Sequence, residues 1–338
     1  MNKDNNKNLI HNLEELFANF SNKRQIAVAV SGGCDSLALT LALNEFCLAR
    51  KIKLFALTID HLMRENSSIE AKKLGNILHQ HKISHQIFSL DKNKLPTKNI
   101  EANLRQMRYE ILFDFCKKNQ IELLFLGHHL NDVAENFLIR LFRGSGLDGL
   151  SVVNKISKIN DIFLIRPFLE IPKDDLKNYL MQKNIEWFED ESNEDEKFLR
   201  NKIRKFLDNL NNADFDKNII AKRIFCASSE IENARDIIDE MMVSMEQKIV
   251  QKNAKNILLN RKLLRNLNQS IALKILSKIL MELSSKNYKP RKEKLQRFYD
   301  YLIADGKIKK REFYQCVCEE FDENNVKIYL KTIQNSKT

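Results

Sequence analysis

Four short apolar runs set the pattern of the first 130 residues: QIAVAV (25–30), KLFALTI (53–59), HQIFSL (85–90) and ELLFLG (122–127). Each has strand length. The stretches 35–49, 68–82, 99–118 and 130–143 that follow them carry apolar residues at helical spacing. Strands separated by whole helices pair in parallel, because parallel neighbours need a long crossover. The repeat therefore predicts an α/β fold, a parallel sheet with helices on both faces. A fifth strand is expected at IFLIRPF (162–168), with Pro172 suited to the first turn of the next helix. Ligands of such sheets bind beyond the carboxyl ends of the strands, so the residues just after each run are the place to look for function.

The pattern changes past residue 211. Long helices with few breaks are expected near 216–283 and 291–304, then an alternating tail that forms a small hairpin around Asn324-Asn325. At 338 residues the chain exceeds one ordinary domain. The expected division is 1–211, a nucleotide-binding α/β domain, and 212–338, a mainly helical domain with a β tail. The net charge of +11 is uneven. Up to Phe215 there are 31 Lys and Arg against 29 Asp and Glu; from Asp216 onward there are 25 against 16. A basic excess confined to the second part points to a polyanionic partner such as RNA.

Other classes are disfavoured. No run of eighteen apolar residues is present, so no membrane span is expected, and the polar start MNKDNNKNLIHNLEEL lacks a signal-peptide core, which predicts a cytoplasmic location. The six cysteines are scattered, and Cys316-Val317-Cys318 is not a metal-binding spacing, so they read as reduced thiols.

Glycine is scarce, eight in all, and six fall in three places: Gly32-Gly33, Gly127, and Gly144/Gly146/Gly149. Ser31-Gly32-Gly33-Cys34-Asp35-Ser36 follows a strand and opens a helix, where free amides form a ready anion site. The same residues also fit a plain glycine turn with Asp35 as a first-turn helix acid. No G-x-x-x-x-G-K-[ST] occurs anywhere, which disfavours Walker-type transfer of a γ-phosphate. GSGLDG (144–149) matches G-x-G-x-x-G literally but follows a helical stretch, so it reads as a helix C-cap and loop. In GHHLNDVAENFLIRLFRGSG (127–146), Asp132 and Glu135 are three apart and share one helical face. Two such acids can hold Mg²⁺, grip an ammonium group, or simply cap the helix. Glu101, Arg105 and Arg108 lie on one face of another helix, and Asp60, His61, Arg64 and Glu70 cluster after the second strand.

The order of SGGCDS, TIDHLMREN, EANLRQMRYEIL, GHHLNDVAENFLIRLFRGSG, IRPFLEIPKDDL and DESNEDEKFLRNKIR resembles the tRNA(Ile)-lysidine synthetase family of PP-loop, N-type ATP pyrophosphatases. The resemblance covers about residues 24–210 and implies an adenine nucleotide alpha hydrolase-like fold. It implies ATP-dependent ligation of free L-lysine to C2 of the wobble cytidine in a CAU-anticodon isoleucine tRNA, through an adenylated intermediate, with release of AMP and pyrophosphate. ATP would lie on Ser31, Gly32, Gly33, Cys34, Asp35 and Ser36, with Mg²⁺ near Asp35. Asp132 and Glu135 would bind lysine, with Asp35 and Arg108 completing the catalytic set. Arg105, Arg143, Arg200 and Arg204 would face tRNA. The resemblance leaves the assembly open, a homodimer included. Two positions depart from the family pattern: Asn131 stands where an Asp is usual, and Asn136 where a Thr is usual. The alternatives are another PP-loop tRNA-modifying enzyme, such as a cytidine thiolase, which calls for paired C-x-x-C cysteines, and a non-catalytic RNA-binding protein.

Overall fold

The computed structural model describes residues 4–60, 67–90, 96, 100–152, 154–189, 199–211, 216–254, 256–286 and 288–331. His61, Arg64 and most of the acidic loop at 189–197 lie outside the described residues. Two compact units divide between Glu232 and Asn233.

In the first unit the elements run α1 (Asp4–Phe17), β1 (Gln25–Ala29), α2 (Cys34–Arg50), β2 (Lys53–Asp60), α3 (Ser67–Gln80), β3 (Ser84–Ser89), α4 (Ile100–Lys118) and β4 (Leu123–Phe125). They continue as α5 (Leu130–Phe142), α6 (Leu147–Leu150), β5 (Ile156–Ile159), β6 (Ile162–Ile165), α7 (Lys173–Gln182), α8 (Leu199–Asn211) and the start of α9 (Lys217–Ile249). The six-stranded sheet has the order β3-β2-β1-β4-β6-β5. Every pairing is parallel except β5 with β6. Sequence reading misses β5: its residues are half-exposed and do not form an apolar run, and a tight turn with Asn160 at φ +53° joins it to β6.

Cores on both faces explain the alternation. On one face Leu37, Leu39 and Leu43 of α2 pack with Leu9 and Leu13 of α1 and Tyr179 of α7. α2 is apolar nearly all round because it is enclosed, and it stops where Lys51 turns left-handed at φ 55°. On the other face Phe115 of α4 meets Phe55 and Phe88 edge-on, with centroids 5.7 and 5.8 Å away. A third cluster joins Leu130 and Ala134 of α5, Ile203 and Leu207 of α8, and Ala221 of α9. The opening turns of α9 therefore pack with the first unit, and the division falls at 232 rather than at the compositional change near 211.

The second unit holds the rest of α9, then β7 (Val250–Lys252), β8 (Asn256–Asn260), α10 (Arg261–Arg265), α11 (Gln269–Ser284), α12 (Lys292–Ile303), β9 (Arg311–Phe313), β10 (Cys316–Glu320) and β11 (Asn325–Leu330). An antiparallel sheet of order β7-β8-β11-β10-β9 packs on α11 and α12. The tail hairpin forms as expected, and the Asp322 side chain accepts from the amides of Asn324 and Asn325 in its turn. The long helical stretch expected over 216–283 is broken by the β7–β8 hairpin, whose NILLN strand alternates buried and half-buried residues. Cys316 and Cys318 point from one face of β10 into this core. No described helix is long and apolar enough to cross a membrane.

Candidate active site at the carboxyl ends of the strands

The glycine turn after β1 is an anion cradle. Gly32 adopts φ +85°, and a Cβ there would meet the Phe188 ring at 2.6 Å. Gly33 opens α2 in extended conformation with no side-chain cap, which leaves the first amides of the helix without a side-chain acceptor. Ser31 and Ser36 close the turn on itself. The Ser31 amide donates to Ser36 Oγ at 3.1 Å, the two hydroxyl oxygens lie 3.1 Å apart, and Ser36 Oγ donates to the Gly33 carbonyl at 3.1 Å. Cys34 points inward, and burial pushes its thiol up to about 12, so it stays protonated and unreactive. Cys34→Ala is expected to leave the unfolding midpoint close to wild type, since exchanging one small buried apolar group for another changes little in the turn. A thiol reagent on the native protein should modify the exposed Cys226 first.

Gly127 brings β4 against this turn. A Cβ at 127 would lie 2.9 Å from Ser36 Cα and 3.0 Å from its amide nitrogen. Two residues on, His129 caps α5: its Nδ1 accepts from the Asp132 amide at 3.4 Å, while Asp132 Oδ2 accepts from the His129 amide at 3.1 Å. The buried His129 ring then spans two carboxylates, its Nε2 lying 3.3 Å from Asp35 Oδ2 and 3.5 Å from Asp132 Oδ2. Burial alone would lower its pKa, but Asp132 and Asp35 outweigh that and raise it. The turn and α5 are thus joined through one imidazole. The sequence leaves His129 open between orienting phosphate and no role; the visible signal for the bridge is its place three residues before Asp132.

Asp132 and Glu135 share the inner face of α5, as their spacing predicts, and both are occupied. Arg200 donates through Nε to Glu135 Oε2 at 2.5 Å and through a terminal nitrogen to Asp132 Oδ1. Arg204 donates through Nε to Glu135 Oε1 at 2.6 Å. Arg200 and Arg204, expected from the sequence to face tRNA, lie on the acids here, because α8 packs on α5 and turns both guanidinium groups onto them. Burial pushes the Asp132 carboxyl up, yet His129 and Arg200 beside it overcome that and hold it at about 2. Asn131 takes no part in the acid cluster; its Oδ1 accepts from the Lys173 amide at 3.0 Å and so caps α7.

The remaining assignments separate. Arg105, on α4, lines a cleft of about 280 Å³ together with His128, Asp132, Phe137, Arg166 and Arg200. Arg108 is half-buried, its guanidinium carbon 5.4 Å from the Tyr109 ring centroid, and burial lowers its pKa. Arg143 is exposed at the end of α5, where Gly144 at φ +70° turns the chain. Lys173 was not anticipated: the N-terminus of α7 brings its Nζ to 3.9 Å from Asp35 Oδ2, beside the glycine turn.

A family profile for the PP-loop domain matches residues 5–210. A tRNA(Ile)-lysidine synthase of Wolbachia pipientis is 31% identical over 327 residues, which cover 92% of this chain and 73% of that protein. The chain belongs to the tRNA(Ile)-lysidine synthase family. Another member, from Orientia tsutsugamushi, is 37% identical over 291 residues, 84% of this chain. One from Rickettsia rickettsii is 40% identical over 197 residues, 58% of this chain. The matches span 65% of the Orientia and 41% of the Rickettsia protein, so the chain corresponds to part of the length of these relatives. Among solved structures, a U34-tRNA thiolase from Methanococcus maripaludis with its [4Fe-4S] cluster superposes with a TM-score of 0.53 at 19% identity, over 66% of this chain and 78% of that one, which is a likeness of fold. The PP-loop match contains the glycine turn, the α5 acids and both α8 arginines of this lysidine synthase family member, and ATP is the ligand that the PP-loop family implies for the turn.

Proposed function

We propose that the protein is an ATP-dependent, AMP-forming tRNA(Ile)-lysidine synthetase, which joins free L-lysine to C2 of the wobble cytidine in a CAU-anticodon isoleucine tRNA. The observation that carries this reading is the Asp132–Glu135 pair, one imidazole away from an uncapped phosphate-binding turn. A ring carbonyl oxygen is a poor leaving group, and adenylation makes it a good one. The turn amides and the Ser31 and Ser36 hydroxyls suit the pyrophosphate that departs in that step. Asp35 Oδ1 is buried with no hydrogen-bond partner among the described residues, which fits a ligand to the Mg²⁺ that accompanies ATP. Such an ion offsets phosphate charge. No described group of three His, Cys, Asp or Glu is arranged to hold a metal by itself.

Lys173, 3.9 Å from Asp35 Oδ2 beside the turn, would serve the same phosphates in a chain that has no Walker lysine. Lys173→Ala should raise KM for ATP about tenfold, a charge-assisted contact contributing about 1.5–3 kcal/mol. Lys173→Arg should restore it, and KM for lysine should not move. Asp132 and Glu135 would receive the lysine amine, in competition with Arg200 and Arg204. A carboxyl held at about 2 anchors an ammonium well and is a poor proton acceptor. The cytidine must leave its stack to reach this site. The basic residues 212–338 would hold the tRNA body, with an affinity that falls as salt rises.

The test is incubation with bulk bacterial tRNA, ATP and labelled lysine, followed by nucleoside analysis. Label in a modified cytidine is expected; an unlabelled nucleoside pool would refute the reading. A cytidine thiolase is not favoured, since Cys34, Cys47 and Cys116 are buried apart in the first unit. Sedimentation of the same preparation distinguishes a monomer from a homodimer.

A further inference from the structure

Two side chains along the cleft each have one buried polar atom without a hydrogen-bond partner among the described residues, and neither belongs to the acid pair. Arg166 follows β6 and is 5% exposed. One terminal nitrogen donates to the Asn154 carbonyl and to Ser157 Oγ, each at 2.9 Å, which fixes the guanidinium plane. Its Nε–H has no acceptor among the described residues. His128, at the end of β4, is half-buried, and its Nδ1 is likewise without a partner. Burial, reinforced by Arg166, Arg105 and Arg108, takes the imidazole down to about 4 in spite of Asp132, so it is neutral at physiological pH and has one N–H to give. Both side chains line the same 280 Å³ cleft.

A buried guanidinium is costly unless an anion compensates it. Among the described residues no carboxylate pairs with Arg166; its bonds go to a carbonyl and a hydroxyl, and the Tyr109 hydroxyl is the further polar group that acts on it. The other cleft arginines stand differently: Arg200 is held by Asp132 and Glu135, Arg140 donates to the Gly149 carbonyl at 2.8 Å, and Arg105 is exposed to solvent beside the Tyr109 ring. The missing partner is therefore an oxyanion carried by the ligand. Asp132 supplies negative charge in the same cleft, and Val133, Phe137, Leu150 and Leu169 supply apolar wall. A cleft with an anionic anchor, a buried cation without a carboxylate and an apolar lining matches an amino acid with a long methylene chain, charged at both ends.

We infer that Arg166, assisted by His128, binds the α-carboxylate of the amino-acid substrate in this cleft, and so selects an amino acid over a simple amine. This rests on the lysine reading above, and it adds the residue that recognises the end of lysine away from the reacting amine. The guanidinium plane would present Nε–H and a terminal N–H to two carboxylate oxygens, the geometry in which arginine exceeds lysine.

The test compares L-lysine with cadaverine, which is lysine without its carboxylate, as co-substrates for labelled tRNA modification. Wild type is expected to prefer L-lysine by at least about 100-fold in kcat/KM, as a lost charge-assisted bidentate pair predicts. Arg166→Gln should bring the ratio to within about threefold, mostly by raising KM for lysine, while ATP–pyrophosphate exchange and cadaverine use stay unchanged. Arg166→Lys should recover only part of the preference. Each ratio is measured within one variant, so loss of folded protein cancels. If wild type uses cadaverine as well as lysine, or Arg166→Gln keeps the full preference, the carboxylate assignment fails and the lysine reading stands. If exchange falls in step with lysine use, Arg166 serves the nucleotide and the assignment also fails. If wild type incorporates no lysine, both readings fall together.

Discussion

Asp132→Asn is expected to abolish lysine incorporation while ATP–pyrophosphate exchange survives. The substitution keeps size and shape, and the amide oxygen can still accept from the His129 amide, so the start of α5 remains capped. What it removes is a buried negative charge that Arg200 now occupies and that the lysine ammonium would use in the proposed reaction. Truncating one side of a buried charge pair costs about 3–5 kcal/mol, which is a fall of about 10²-fold to about 4 × 10³-fold in kcat/KM for lysine. In the proposed reaction exchange would depend on the glycine turn, the Ser31 and Ser36 hydroxyls and Lys173, none of which bonds to Asp132 directly. Normal incorporation of labelled lysine by the variant would remove Asp132 from the site. Equal loss of exchange would show instead that Asp132 acts through His129 on Asp35.

Gly127→Ala should damage the other half of the reaction. The new methyl group would sit 2.9 Å from Ser36 Cα, and both that atom and the amide nitrogen at 3.0 Å are backbone. Neither can swing aside as a side chain would. The first turn of α2 must move, and with it the amides that face phosphate. Overpacking of this kind costs about 1–3 kcal/mol of stability. A displacement near 1 Å at a reacting group costs about 100-fold in rate, so exchange should fall by about that factor. Gly146→Ala is the matched control: a Cβ there meets nothing within 4 Å, and exchange and unfolding midpoint should both stay near wild type. If the two variants behave alike, the close approach of β4 to the turn is not what holds the amides in place.

Much of the first unit was legible before folding. The parallel core, the glycine turn and the shared face of Asp132 and Glu135 all follow from periodicities within about twenty residues, and local sterics enforce those periodicities. The edge strand β5 was not legible, because a half-exposed strand has no apolar run to mark it. The β7–β8 hairpin was hidden inside an apparently helical stretch, where propensity gave way to packing against β11. The boundary near 211 followed a change of composition, whereas contacts hold the opening turns of α9 to α5 and α8.

The sequence by itself determined the family, the α/β core and the phosphate-binding turn, because each is encoded by residues that are neighbours in the chain. Only the tertiary structure decided what those residues touch. It set Arg200 and Arg204 on Glu135, 65 and 69 positions earlier, and it gave Asp35 its neighbours His129 and Lys173. It also left Arg166 buried with a free N–H. The reason is physical: an ion pair between distant segments depends on how two helices pack, and neither segment alone carries that information.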